Sequence, residues 1–107
     1  MQTPESEKTQ PQITQNVNYG NWYLVSVRAK KRDFFLKYLK LAITQNKLED
    51  LIVAIEIPQA SVYEDFVLLN LSNFKAARSE LQKIENFQSI ERQPLNPEQV
   101  SRMLGMV

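Results

Sequence analysis

The chain has 107 residues, of which 43% are hydrophobic and 23% charged, so it has the size and composition of one globular domain. Its formal net charge of +1 argues against a protein that wraps nucleic acid by bulk electrostatics, because such proteins neutralise many phosphates. With no histidine, no cysteine and 2 glycines, the sequence lacks the usual general base, the usual zinc ligands and the Gly-rich phosphate loop. We therefore expect a binding protein with no catalytic residues, no metal and no cofactor.

The N-terminal segment is polar. Residues 1–20 are rich in Gln, Thr and Pro, with no apolar core of a secretory signal, and we predict a disordered tail before a folded domain at residues 21–107. No run approaches the roughly 18 apolar residues of a membrane helix. The absence of cysteine is typical of a reducing compartment. These features predict a soluble, cytoplasmic protein with no membrane partner.

The first half of the domain predicts a strand, a helix and a hairpin. Residues 22–27 (WYLVSV) are aromatic and β-branched, as in strands. Residues 30–47 contain no Gly or Pro and repeat apolar side chains at a helical spacing. Residues 52–57 and 66–71 are two aliphatic runs joined by a short linker, which favours antiparallel pairing.

The second half predicts a helix, a weaker strand and a final helix. Ser72 or Asn73 can cap a helix that ends near Lys83, and residues 87–92 form the fourth strand. Asn96 as N-cap, followed by Pro97 and by Gln99 in a capping box, marks the last helix. The order βαββαβα predicts an α+β, two-layer sandwich in which helices pack on a four-stranded antiparallel sheet, as in ferredoxin-like folds.

Several short motifs occur in an order and spacing that point to one family. They are residues 21–25 (NWYLV), 48–52 (LEDLI), 55–58 (IEIP), 63–69 (YEDFVLL), 74–78 (FKAAR), 84–87 (IENF) and 94–100 (PLNPEQV). Together they resemble the N-terminal domain of the NusG family of transcription factors, the NGN domain, over about residues 21–105. The resemblance implies an NGN-type fold and a role in transcription elongation or antitermination.

The chain departs from the family pattern in three places. The linker before Tyr63 is short, and Glu64-Asp65 replaces a Pro-Gly pair. Asn86 stands where the family has Gly, and Asn tolerates left-handed backbone better than most residues. The family's C-terminal KOW domain is missing, so we expect either a short family member or a piece of a longer protein.

The resemblance also implies the main partner. Members of the family dock a hydrophobic depression onto the coiled-coil clamp helices of the large subunit of RNA polymerase. The aromatic positions of the family motif correspond to Tyr63 and Phe66, which we predict as anchors because buried aromatic groups dominate interface energies. For Phe66, a place in the core is the alternative.

A basic cluster joins the first strand to the first helix. It comprises Arg28, Lys30, Lys31 and Arg32. In the family this face lies near the upstream fork and the non-template DNA strand, and contact with phosphates suits several closely spaced cations. The alternative is an ordinary solvated charged surface.

The first helix has a second apolar face where the family has polar residues. Phe34, Tyr38 and Leu41 follow the spacing i, i+4, i+7. A helix that is apolar on two sides is usually buried on both. The stripe therefore predicts a surface for self-association or for another protein partner, unless the N-terminal tail or the last helix covers it.

Two other functions fit a similar architecture. An RNA-binding module of the RRM type would need stacking aromatic residues on its central strands, and the run at residues 66–69 (FVLL) does not match that motif. An adaptor that kept the fold and lost polymerase binding is favoured by the altered Glu64-Asp65 turn.

Overall fold

The computed structural model of the chain describes residues 21–105, so the predicted tail at residues 1–20 lies outside the described residues. The strands are β1 (Trp22–Val27), β2 (Ile52–Glu56), β3 (Phe66–Leu71) and β4 (Phe87–Ile90). The helices are α1 (Arg32–Asn46), α2 (Phe74–Leu81) and α3 (Pro97–Met103), with a 3₁₀ turn at Ser61–Tyr63. The predicted α+β class and the four-stranded antiparallel sheet are confirmed.

Helix α1 is shorter than predicted at its start, and the backbone explains why. Lys30 adopts a left-handed conformation with φ of 63°, which no right-handed helix accommodates, so α1 begins at Arg32. At the other end, Lys47 has φ of 56° and its N–H donates to the carbonyl of Ile43, which closes the helix. Asn86 also has a left-handed backbone, with φ of 76°, as expected for a residue that replaces Gly.

The sheet has the strand order β2-β3-β1-β4, with every neighbouring pair antiparallel. Val25 of β1 lies opposite Val67 of β3 and opposite Ile90 of β4, so β1 is paired on both sides. Alternate residues of the two central strands face α1 and α2, where they form the main core with Phe35, Leu39 and Leu81. Burial of each such side chain contributes roughly 1.5–3 kcal/mol.

Helix α3 packs on the opposite face of the sheet. Its Val100 and Met103 form a second buried cluster with Trp22 of β1 and Leu68 of β3. Trp22 and Leu68 alternate with the residues that face α1, so the two clusters lie on opposite sides of the sheet. The two-layer description therefore fits α1 and α2, whereas α3 adds a partial third layer.

The helix caps follow the sequence signals. The side chain of Asn73 accepts a hydrogen bond from the N–H of Ala76. In the predicted capping box, Asn96 Oδ1 accepts from the N–H of Gln99 at 2.8 Å, and Gln99 Oε1 accepts from the N–H of Asn96 at 3.1 Å. The N–H of Gln59 donates to the carbonyl of Met103, which links the end of α3 to the segment after β2. Within residues 21–105, no helix has the length and hydropathy needed to cross a bilayer.

Candidate functional site

The two predicted anchors, Tyr63 and Phe66, are in contact. Their ring centroids are 6.1 Å apart and the rings meet edge to face at 79°, a favourable arrangement for an aromatic pair. Tyr63 ends the 3₁₀ turn and Phe66 begins β3, so the tight turn between them brings the two rings together. Both side chains are half-buried. The pair is thus supported by the fold on one side and accessible to a partner on the other.

Tyr63 also lines a shallow depression beside α3. The depression has a volume of about 140 Å³, and its other lining residues are Gln99, Arg102 and Met103. Tyr63 packs against the second buried cluster, of which Met103 is a member. Arg102 forms an exposed ion pair with Glu98 at 3.1 Å. The site therefore combines an apolar base with a polar and charged rim.

Arg32 holds both ends of the turn that carries the aromatic pair. Its Nη1 donates to the carbonyl of Tyr63 at 3.2 Å and to the carbonyl of Phe66 at 3.3 Å. Both hydrogen bonds are partly buried and come from the same charged nitrogen. Arg32, predicted from the sequence as a nucleic-acid contact, therefore positions the Tyr63–Phe66 pair. In this role, Nη1 of Arg32 donates both hydrogen bonds.

The other three members of the basic cluster, Arg28, Lys30 and Lys31, are exposed, and Lys30 lies beside a carboxylate. The N–H of Lys30 donates to Asp65 Oδ1 at 2.9 Å, which stabilises the left-handed backbone at Lys30. A cleft of about 210 Å³ at this position is lined by Lys30, Arg32, Asp33, Glu64 and Asp65. Three anions thus stand beside two cations, so the electrostatic potential here is mixed. Arg28 and Lys31 are exposed and do not line this cleft, so they are the members of the cluster with no carboxylate beside them in it that could compete with a phosphate.

The second apolar face of α1 is exposed. Phe34 is 51% exposed, Tyr38 37% and Leu41 45%, while Phe35 on the same helix is fully buried. The Nζ of Lys31 lies 5.1 Å from the centre of the Phe34 ring, in a cation–π contact. Helix α3 does not cover this stripe, because it packs on the opposite face of the sheet. The other cover considered, the N-terminal tail, lies outside the described residues.

Some surface residues had no signal in the sequence. Val62, next to Tyr63, is 72% exposed, and a single valine in a short polar turn shows no periodicity that would mark it. Gln99 and Arg102 line the depression at Tyr63. The sequence predicts only a helix at their positions, since nothing in it places α3 beside Tyr63. Ile84 follows the end of α2, is buried in the main core and also lines a groove next to α1.

No protein-family model matches this sequence, and no curated protein matches it either. The features that bear on function are therefore the motifs, the geometry around Tyr63 and the charges of the surface.

Proposed function

We propose that this chain is a non-enzymatic binding module of the NusG N-terminal type, which docks onto the clamp helices of RNA polymerase and acts in transcript elongation or antitermination. The observation that carries the proposal is the half-exposed Tyr63–Phe66 pair beside the depression at α3. The proposal also assigns the protein to the cytoplasm, where it would meet the polymerase.

The geometry of the site suits the tip of a helical coiled coil. Interfaces of this kind bury a few aromatic anchors in a small apolar centre and surround them with polar groups that fix the orientation. Tyr63, Phe66 and Met103 supply the apolar centre, and Gln99 and Arg102 supply the rim. Because Arg32 fixes both ends of the turn, little conformational entropy is lost when a partner binds.

The arrangement of the elements supports the same proposal. The order βαββαβ, with α1 and α2 on one face of an antiparallel sheet, is typical of ferredoxin-like domains, and the NGN domain is expected to be of this type. The added helix α3 distinguishes this chain from an RRM-type module. An RRM binds RNA on the exposed face of its central strands, whereas Trp22 and Leu68 on that face are buried beneath α3 here.

The docking site is tested by truncating the anchors. Tyr63→Ala and Phe66→Ala should each weaken binding of the full chain to core RNA polymerase by about tenfold, since each removes a large apolar contact at the interface. Fluorescence anisotropy with a labelled chain measures the affinity, and thermal melts check that the fold is kept. Tyr38→Ala is the matched control, because Tyr38 is also a partly exposed tyrosine but lies on α1.

Normal polymerase binding by folded Tyr63→Ala and Phe66→Ala variants would place the interface elsewhere. If the unmodified chain does not bind polymerase at all, the adaptor function becomes the better description.

Contact with DNA is tested through its salt dependence. Replacing Arg28, Lys30 and Lys31 with Gln should lower the affinity for a polymerase complex that contains an upstream DNA fork, by about threefold to tenfold at low salt. The difference should shrink as salt rises, because exposed charges are screened and phosphate contacts release counterions. Polymerase without nucleic acid is the control. A loss of affinity that is equal with and without DNA would remove the DNA contact from the proposal.

A further inference from the structure

Positive charge is concentrated on α1 and its two ends. Residues 30–47 contain six lysines and arginines and one aspartate, a net charge of +5, while the whole chain carries +1, so the remaining residues sum to −4. The cations are Lys30, Lys31, Arg32, Lys37, Lys40 and Lys47. Lys30 and Arg32 belong to the cleft shared with Asp65, and the other four cations are exposed lysines on α1 or at its ends, so the exposed side of α1 is basic.

A groove with apolar and polar lining residues runs along the same helix. Phe34, Tyr38 and Leu41 extend over about 10 Å of the helix axis, given its rise per residue. Beside them, a groove of about 300 Å³ separates α1 from the segment between α2 and β4. Its apolar lining residues are Tyr38, Leu41, Ala42 and Ile84, and its polar ones are Gln45, Asn46, Lys83 and Glu85. Three large exposed apolar side chains in a row on a small domain usually mark a contact surface.

We propose that this groove, which we call the α1 groove, binds an acidic amphipathic α-helix of a partner protein. Its shape favours a helix, because an amphipathic helix presents apolar side chains at the same i, i+4, i+7 spacing and lays them into a groove. The charged residues of the groove itself, Lys83 and Glu85, offset each other, and the exposed lysines of α1 outside its lining favour acidic flanks on the partner helix. The Lys31 ammonium, held over the Phe34 ring, places a cation at the edge of the apolar stripe, where a carboxylate of the partner can reach it.

The same observations disfavour other occupants. Two copies of the chain that met through α1 would bring two sets of exposed lysines together, which is repulsive. Nucleic acid would match the charge but would leave the side chain of Leu41 without an apolar partner. A lipid surface is flat, whereas Tyr38 and Leu41 line a groove. The proposal does not depend on polymerase binding, since Tyr63 and α3 lie on the other face of the sheet.

The test uses the full chain and a synthetic, fluorescently labelled helical peptide of about 18 residues, roughly 27 Å long. The peptide carries Leu along one face and Glu on both flanks. It should bind at least about tenfold more tightly than a peptide with Lys in place of Glu, or than one of the same composition in scrambled order, and binding should weaken as salt rises. Leu41→Ser and Tyr38→Ser should each reduce the affinity by about tenfold.

Val53→Ser is the matched control, because Val53 is 58% exposed and lies on the edge strand β2, outside the groove. Equal binding of the three peptides, or equal loss of binding in the control, would overturn the proposal. Three other ligands are compared with the acidic peptide: oligodeoxythymidine, vesicles containing phosphatidylserine, and a synthetic peptide of residues 1–20. If one of them binds more tightly than the acidic peptide, the groove belongs to that ligand. If light scattering shows a dimer, and Leu41→Ser abolishes it, the groove binds a second copy of the chain. Leu41→Ser should leave polymerase binding unchanged. The proposal for the α1 groove and the proposal for the docking site can therefore be refuted separately.

Discussion

Phe35→Ala is expected to lower the free energy of unfolding by about 3–5 kcal/mol, while Phe34→Ala lowers it by about 1 kcal/mol or less. The two residues are neighbours on α1, yet Phe35 is fully buried between the helix and the sheet, whereas Phe34 is 51% exposed. Truncation of Phe35 leaves a cavity that the surrounding side chains fill only in part. Truncation of Phe34 removes partial burial and the cation–π contact with Lys31.

Equilibrium unfolding in urea measures both changes, with the slope m checked to be the same in each variant. Because small domains are stable by only about 5–15 kcal/mol, the Phe35 variant should unfold at a markedly lower urea concentration. A loss of several kcal/mol in both variants would mean that the stripe on α1 is covered within the chain itself. In that case the α1 groove would not be a docking surface.

Arg32→Met is expected to lower the free energy of unfolding by about 1.5–3 kcal/mol and to weaken polymerase binding. The variant keeps an apolar stem but removes the charged donor to the carbonyls of Tyr63 and Phe66. Without these hydrogen bonds, the turn that carries the aromatic pair loses its fixed geometry. Lys31→Met is the matched control, since Lys31 is exposed and adjacent in sequence but reaches neither carbonyl.

A second variant, Arg32→Lys, separates the positioning role from a contact with phosphate. Lysine keeps the charge but presents a single ammonium in place of the planar guanidinium, so it should restore the two hydrogen bonds poorly. We therefore expect Arg32→Lys to resemble Arg32→Met in stability and in the ring signals of Tyr63 and Phe66 by NMR. Normal stability in Arg32→Met, with a loss of affinity only for DNA-containing complexes at low salt, would contradict the positioning role.

The two proposed surfaces lie on opposite sides of the sheet, and this has a functional consequence. The depression at Tyr63 belongs to the face covered by α3, whereas the α1 groove is on the side of α1 and α2. Partners on the two sides would not compete for space. If both proposals hold, the domain can connect RNA polymerase to an acidic helix of a second protein.

Local signals in the sequence determined the elements of the fold. The aromatic and β-branched composition of Trp22–Val27, the helical repeat from Phe35 to Ile43 and the capping box at Asn96 each involve residues close in the chain, so they can be read without knowledge of the tertiary structure. The left-handed backbone at Asn86 is of the same kind, because it depends on the intrinsic tolerance of Asn. The short linker between the second and third predicted strands was the signal that predicted antiparallel pairing.

Only the tertiary structure decided which surfaces these elements present. The position of α3 beneath Trp22 and Leu68, and hence beside Tyr63, depends on contacts between residues far apart in the sequence. The role of Arg32 was hidden for the same reason, since its acceptors lie 31 and 34 residues away. The sequence identified the second apolar face of α1 but not its exposure, because periodicity marks a face as apolar and only the packing of the other helices determines whether it is covered.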